Sequence, residues 1–195
     1  MDGLETALME QMATVRASWP QLARLAAVLT TIGGAPITLA VAGAGSLWLL
    51  LNRAPGRASL LAGSVLVERL LVDGLKEWIG RPRPHLEFLP HSLAFPSGHS
   101  ANSMTAFLAA ALLAASPRYR RAAVALGLVL SLVVGLTRIV LGVHWPSDVI
   151  GGWAFGLLAV ALALIVGERS GVLSVKAQHE IVGRHRLAPD KDEPA

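Results

Sequence analysis

Apolar residues fall along this chain in long blocks separated by short polar stretches, and each block sets an element. Leu4, Ala7, Leu8, Met12 and Val15 alternate with polar residues at helical spacing, which predicts a helix over 3–18 lying on a membrane surface. Leu22 to Leu51 is apolar throughout. As one helix it would be roughly 45 Å long, too long for a hydrocarbon core of about 30 Å. Gly33-Gly34-Ala35-Pro36 supplies a break, since Gly loosens a helix and Pro removes a donor. The pattern thus predicts a lead-in helix to about Ile32 and a first span from about 35 to 52. Further spans follow at about 57–80, 97–115, 122–141 and 146–167, the last opening on Pro146 as suits a first helical position. The predicted fold is all-α, an integral membrane bundle of about five spans plus an N-terminal interfacial helix. It divides into a lead-in segment (1–32), a membrane domain (33–167) and a polar tail (168–195).

The second span departs from the pattern, because it carries Glu68, Arg69, Asp73 and Lys76. Charges at that depth are costly and belong in a bundle interior or a wet cavity. Their spacing allows Arg69 to pair with Asp73, and Asp73 with Lys76.

Composition agrees with a membrane setting: 53% of residues are hydrophobic and only 15% charged, against about 25% charged in soluble domains. There is no cysteine, which excludes disulfides, thiolate catalysis and zinc–sulfur sites. The net charge of +4 is placed in short loops without interleaved aromatics, so no nucleic-acid partner is indicated. The first residues carry Asp2, Glu5 and Glu10, unlike the basic start of a signal peptide.

Arg53, Arg57, Arg118, Arg120, Arg121, Arg169, Lys176, Arg184 and Arg186 fall on one face, which the positive-inside rule makes cytoplasmic. The loops at 81–96 and 142–146 then lie outside, with the N-terminus. Trp19, Trp78 and Trp145 are expected in one interfacial belt. Arg81 and Arg83 break the charge rule, which points to a task other than topology.

The outer loops gather Lys76, Arg81, Arg83, Ser97, His99, Arg138, His144 and Asp148. Several cations beside two histidines and one carboxylate call for an anion, and phosphate fits the arginine fork best. Ser97-Gly98-His99 opens a helix, so free N–H groups and the helix dipole add to the attraction. His144 precedes the last span and Asp148 sits in its first turn. A carboxylate near an imidazole N–H fixes the tautomer and leaves the other nitrogen as nucleophile or base. His99, from another helix start, is placed to give a proton to a leaving oxygen. Together these point to phosphoryl transfer through a phosphohistidine. A metal held by His99, His144 and Asp148 is the competing reading, disfavoured by the cations around it. His85, His91, His179 and His185 are read as structural or exposed.

These residues resemble the type 2 phosphatidic acid phosphatase family, which shares its site with vanadium haloperoxidases. Its pattern K-x6-R-P is matched by Lys76, Arg83 and Pro84, and P-S-G-H by Pro96, Ser97, Gly98 and His99. S-R-x5-H-x3-D is matched by Arg138, His144 and Asp148, with Thr137 in place of Ser. The resemblance covers about residues 33 to 167. It implies that His144 is the nucleophile, Asp148 orients it and His99 protonates the leaving group. Lys76, Arg83, Ser97, Gly98 and Arg138 would hold the phosphate oxygens, with no metal or other cofactor. Arg81 falls in a spacer, where it could meet a substrate headgroup. The partner is then a lipid phosphate or diphosphate from the bilayer, of the undecaprenyl diphosphate, phosphatidylglycerol phosphate or phosphatidic acid type. The implied location is a bacterial inner membrane, with the site on the periplasmic face. Two alternatives use the same basic pocket: a lipid phosphotransferase and a non-catalytic lipid-phosphate binding or transport protein.

Overall fold

The computed structural model describes residues 3–84 and 93–174, and among these the secondary structure is helical apart from one isolated bridge. The four histidines read as structural or exposed, and the tail beyond 174, lie outside the described residues.

Helix α1 spans Gly3–Ser18, with Glu5 in its first turn and Arg16 in its last, as the helix dipole favours. Helix α2 (Pro20–Thr30) runs into a 3-10 turn at Thr31–Gly33, and α3 (Ala35–Leu51) restarts after Gly34, which is extended. The break falls at the Gly-Gly-Ala-Pro stretch. Helix α4 (Pro55–Ile79) starts on Pro55 and stops at Gly80, whose left-handed φ of 62° lets its N–H close on the Lys76 carbonyl at 2.9 Å. Helices α5 (Gly98–Leu113), α6 (Arg120–Val140) and α7 (Pro146–Arg169) complete the bundle. By length and composition, three helical stretches suit a membrane crossing: Pro20–Leu51, Arg120–Val140 and Pro146–Arg169. Helix α4 is long enough but carries the charges noted above, and α5 has 16 residues.

Helix α5 is the axis. It packs against α3, α4, α6 and α7, and every residue from Ser100 to Ala109 is buried. Close approach explains how. A Cβ on Gly152 of α7 would lie 2.5 Å from the Ser97 carbonyl oxygen, and one on Gly156 would lie 2.8 Å from that of Ala101. Only glycine lets the two backbones meet there. Leu61, Met104 and Leu108 anchor the apolar core in one half of the bundle, and Val65, Ala106 and Phe107 continue it. A third cluster joins Met9 of α1 to Ala94 and Trp145, so α1 is docked over the loop end of the bundle. Leucines and valines on the outer faces of α4, α6 and α7, such as Leu70, Leu126 and Leu158, stay exposed, as a lipid-facing surface requires.

Two expectations fail. No ion pair links Arg69, Asp73 and Lys76; Arg69 instead donates to Thr38 Oγ1 on α3 at 3.4 Å, and Asp73 is exposed. Helical spacing permitted that pairing, but a neighbouring helix offered the arginine a partner. Trp145 is no belt residue: unlike the exposed Trp19 and Trp78, it is buried, and its indole N–H donates to the Pro82 carbonyl at 3.0 Å. Glu68 is buried inside the bundle, where both its carboxylate oxygens lack hydrogen-bond partners among the described residues.

Candidate active site

Four helix ends and one loop build the site. The loop after α4 is clasped at its ends, where the Ala94 N–H bonds the Arg81 carbonyl at 2.8 Å. That clasp brings Arg81 and Arg83 back beside the start of α5. The Ser97 N–H bonds the Asp148 carbonyl at 2.9 Å, which ties the start of α5 to the first turn of α7. The start of α5 therefore sits where both histidine-bearing segments converge.

Lys76 lies in the last turn of α4, and its Nζ comes within 3.3 Å of where a Gly98 Cβ would stand. A side chain at 98 would crowd the ammonium. His99 Nε2 is 3.9 Å from the corresponding point on Gly34, so the break between α2 and α3 makes room for the imidazole. His99 lies within electrostatic reach of Arg138, His144, Lys76 and Arg83. Arg138 Nη1 donates to Thr30 Oγ1 at 3.0 Å, and Arg83 Nη1 donates to the Val143 carbonyl at 3.2 Å. The Nε of each is buried and has no partner among the described residues. Orphaned guanidinium donors beside a lysine and a helix start make a site for an oxyanion.

His144 and Asp148 are 1% and 0% exposed. Asp148 caps α7, with its Oδ2 accepting the Trp145 N–H at 2.8 Å. The same Oδ2 lies 3.5 Å from His144 Nδ1, which is buried and makes no hydrogen bond among the described residues. Burial pushes the His144 imidazole down to about 4; Asp148 opposes this, while Arg83 and Arg138 add to it. The neutral imidazole, the nucleophilic form, is therefore the resting form at neutral pH.

The eight residues expected to form the site (Lys76, Arg83, Ser97, Gly98, His99, Arg138, His144 and Asp148) thus converge from four helix ends and the loop. Arg81 is engaged by carboxylates. Its Nη1 bonds Asp148 Oδ1 and Ser147 Oγ, each at 2.6 Å, and its Nη2 bonds Glu5 Oε2 at 2.7 Å. Burial would raise the Glu5 carboxyl, but hydrogen bonds from Ser147 and Arg81 outweigh it and hold the group below its ordinary value. Glu5 and Thr30 were not visible as site neighbours in the sequence. Each reaches its partner across a separation set only by helix docking.

The sequence profile described as the PAP2 superfamily matches residues 57–171. The chain belongs to the PAP2 superfamily. The matched stretch contains all eight candidate site residues, whereas Glu5 and Thr30 precede it. A crystallographically solved transmembrane PAP2-type phosphatidylglycerolphosphate phosphatase from Bacillus subtilis superposes with a TM-score of 0.76 at 28% identity, over 86% of each chain. Lipid A 1-phosphatase of Rhizobium etli is 40% identical over 143 residues, 67% of this chain and 59% of that protein. Phosphatidylglycerophosphatase B of Bacillus subtilis is 39% identical over 98 residues, 47% of this chain and 48% of that protein. The chain thus spans about half to three-fifths of the length of these curated relatives. With the PAP2 superfamily established, the all-α bundle is that of a membrane protein.

Proposed function

We propose that this chain is a metal-independent phosphatase of lipid phosphates or diphosphates, working through a phosphohistidine. The observation that carries the reading is the buried His144, 3.5 Å from Asp148 and close to Arg83 and Arg138. In the proposed step His144 Nε2 attacks phosphorus, and the N–P bond forms as the P–O bond to the lipid breaks. His99, protonated once the bound phosphate anion offsets the cations around it, gives its proton to the leaving lipid oxygen. The cations, with Ser97 and Gly98 at the start of α5, hold the equatorial oxygens. Water then attacks the phosphohistidine, gives a proton to His99 and releases inorganic phosphate. Asp148 stabilises the charge on His144 while the phosphoryl group is attached.

A divalent ion fits the same donors poorly. Asp148 already spends its oxygens on Arg81 and the Trp145 N–H, and the flanking cations repel a metal. The relatives named as lipid phosphatases, together with the lipid-facing helices, support a bilayer substrate whose chains stay in the membrane. Lipid A, phosphatidylglycerol phosphate and prenyl diphosphates are the candidate classes. We place the protein in a bacterial inner membrane with the site on the periplasmic face, following the distribution of basic residues among the loops.

The test is phosphate release by purified protein from a panel of lipid phosphates with EDTA present. Full activity and inhibition by vanadate are expected, with near-total loss in His144→Ala. His99→Ala should lose on the order of 10²–10⁴-fold. Activity abolished by EDTA and restored by a divalent metal would overturn the mechanism. Phosphate passed to another lipid instead of water would identify a transferase.

A further inference from the structure

We infer that Glu5 of the surface helix and Arg81 form a positioning pair that holds Asp148 in place for catalysis, so that α1 is a working part of the active site. This rests on the reading of Asp148 as the residue that orients His144. Both Nη atoms of Arg81 are committed to carboxylates: Nη1 to Asp148 Oδ1 and Nη2 to Glu5 Oε2. The guanidinium also lies over the Trp145 ring, 5.7 Å from its centroid. With both terminal nitrogens engaged on carboxylates and the guanidinium over the Trp145 ring, Arg81 acts through Asp148.

The geometry fixes both oxygens of Asp148. Arg81 takes Oδ1, and the Trp145 N–H takes Oδ2, which lies 3.5 Å from His144 Nδ1. Glu5 has a second role in the same arrangement. Its Oε1 accepts the Ser147 N–H at 2.9 Å, so it helps to cap α7 while its other oxygen offsets the charge of Arg81. Without that offset Arg81 would draw on Asp148 alone and weaken its support for a charged His144. Helix α1 is tied down along its length, with Met9 buried against Trp145 and Arg16 Nη1 bonded to the Val140 carbonyl at 2.9 Å. That docking is what delivers Glu5 to the site.

Glu5→Gln, Arg81→Ala and Arg81→Lys should be assayed alone and in an Asp148→Asn background, with kcat, KM and the vanadate inhibition constant measured for each. Arg81→Ala and Glu5→Gln should lower kcat by about 10–100-fold, the effect outer hydrogen-bond partners of ligating groups carry. KM and vanadate affinity should hold, and Arg81→Lys should recover part of the loss. In Asp148→Asn neither change should cost anything further. A rise in KM with weakened vanadate inhibition would make Arg81 a phosphate or headgroup binder and overturn the inference. Full additivity with Asp148→Asn would reduce the pair to a structural brace and also overturn it. An Asp148→Asn enzyme with wild-type kcat would remove the underlying mechanism itself. Should Arg81→Ala fail to fold, Arg81→Lys and Glu5→Asp must still lower kcat alone.

Discussion

Replacing Gly152 with alanine should disable the enzyme without touching any reacting group. The new Cβ would stand 2.5 Å from the Ser97 carbonyl oxygen, 2.8 Å from Ser100 Cβ and 3.2 Å from the Ala101 nitrogen. Ordinary contact begins near 3.4 Å, so the shortfall against the nearest atom is about 0.9 Å. Two of these three atoms are backbone, and no side-chain rotation relieves them. The start of α5 and the first turns of α7 must separate by something approaching that distance. Ser97, Gly98 and His99 ride on one side of the gap and His144 and Asp148 on the other. A misplacement of about 1 Å between reacting groups costs on the order of 100-fold in rate. Overpacking should also cost about 1–3 kcal/mol of stability. Phosphate release in detergent measures the first effect and thermal melting the second. A Gly152→Ala protein with wild-type kcat and melting temperature would refute the claim that backbone contact at this glycine sets the alignment.

Other outcomes follow from single contacts. Thr30→Val removes the acceptor of Arg138 Nη1, so KM should rise several-fold and stability fall by about 1.5–3 kcal/mol, as for hydrogen bonds to charged groups; unchanged KM would count against Arg138 as a phosphate ligand. Gly142 has a φ of 71° and packs on the Arg16 guanidinium; Gly142→Ala should lower stability by about 1–2 kcal/mol, read as a reduced melting temperature. Because the His144 pKa is pushed down to about 4, the imidazole stays neutral as pH falls through 6.5. The kcat/KM profile should therefore lack an acid limb at 6.5 belonging to this residue, and an acid limb there that vanished in a His144 variant would contradict the site's electrostatics. The same depression has a stability sign: the unfolded chain takes up a proton below 6.5 that the folded site refuses. Stability should therefore fall as pH drops from 6.5 toward 4, and this contribution should be flat above 6.5.

Helices were legible because their punctuation is local. Pro146 opens a helix and Gly80 closes one, by rules that act within a turn. The site residues were legible for a related reason: Lys76, His99 and Asp148 each lie within four residues of a helix end, and the bundle brings those ends together. Longer-range partners were hidden. Nothing in the acidic face of an amphipathic helix tells Glu5 that Arg81 awaits it, since their meeting depends on how α1 docks. Trp145 was misassigned because interfacial depth says nothing about a helix folding over the residue. Arg69 and Asp73 had the right spacing for a pair, yet Thr38 on α3 captured the arginine.

The burial of α5 also divides the molecule by how freely it can vary. From Ser100 to Ala109 each position meets only other protein atoms, so a changed side-chain volume must be absorbed by four packed helices at once. Leu126 and Leu158 are exposed on outer faces, where a fluid bilayer can accommodate another shape. A library of random substitutions selected for activity should leave α5 almost silent and fill the outer faces of α6 and α7 with interchangeable apolar residues.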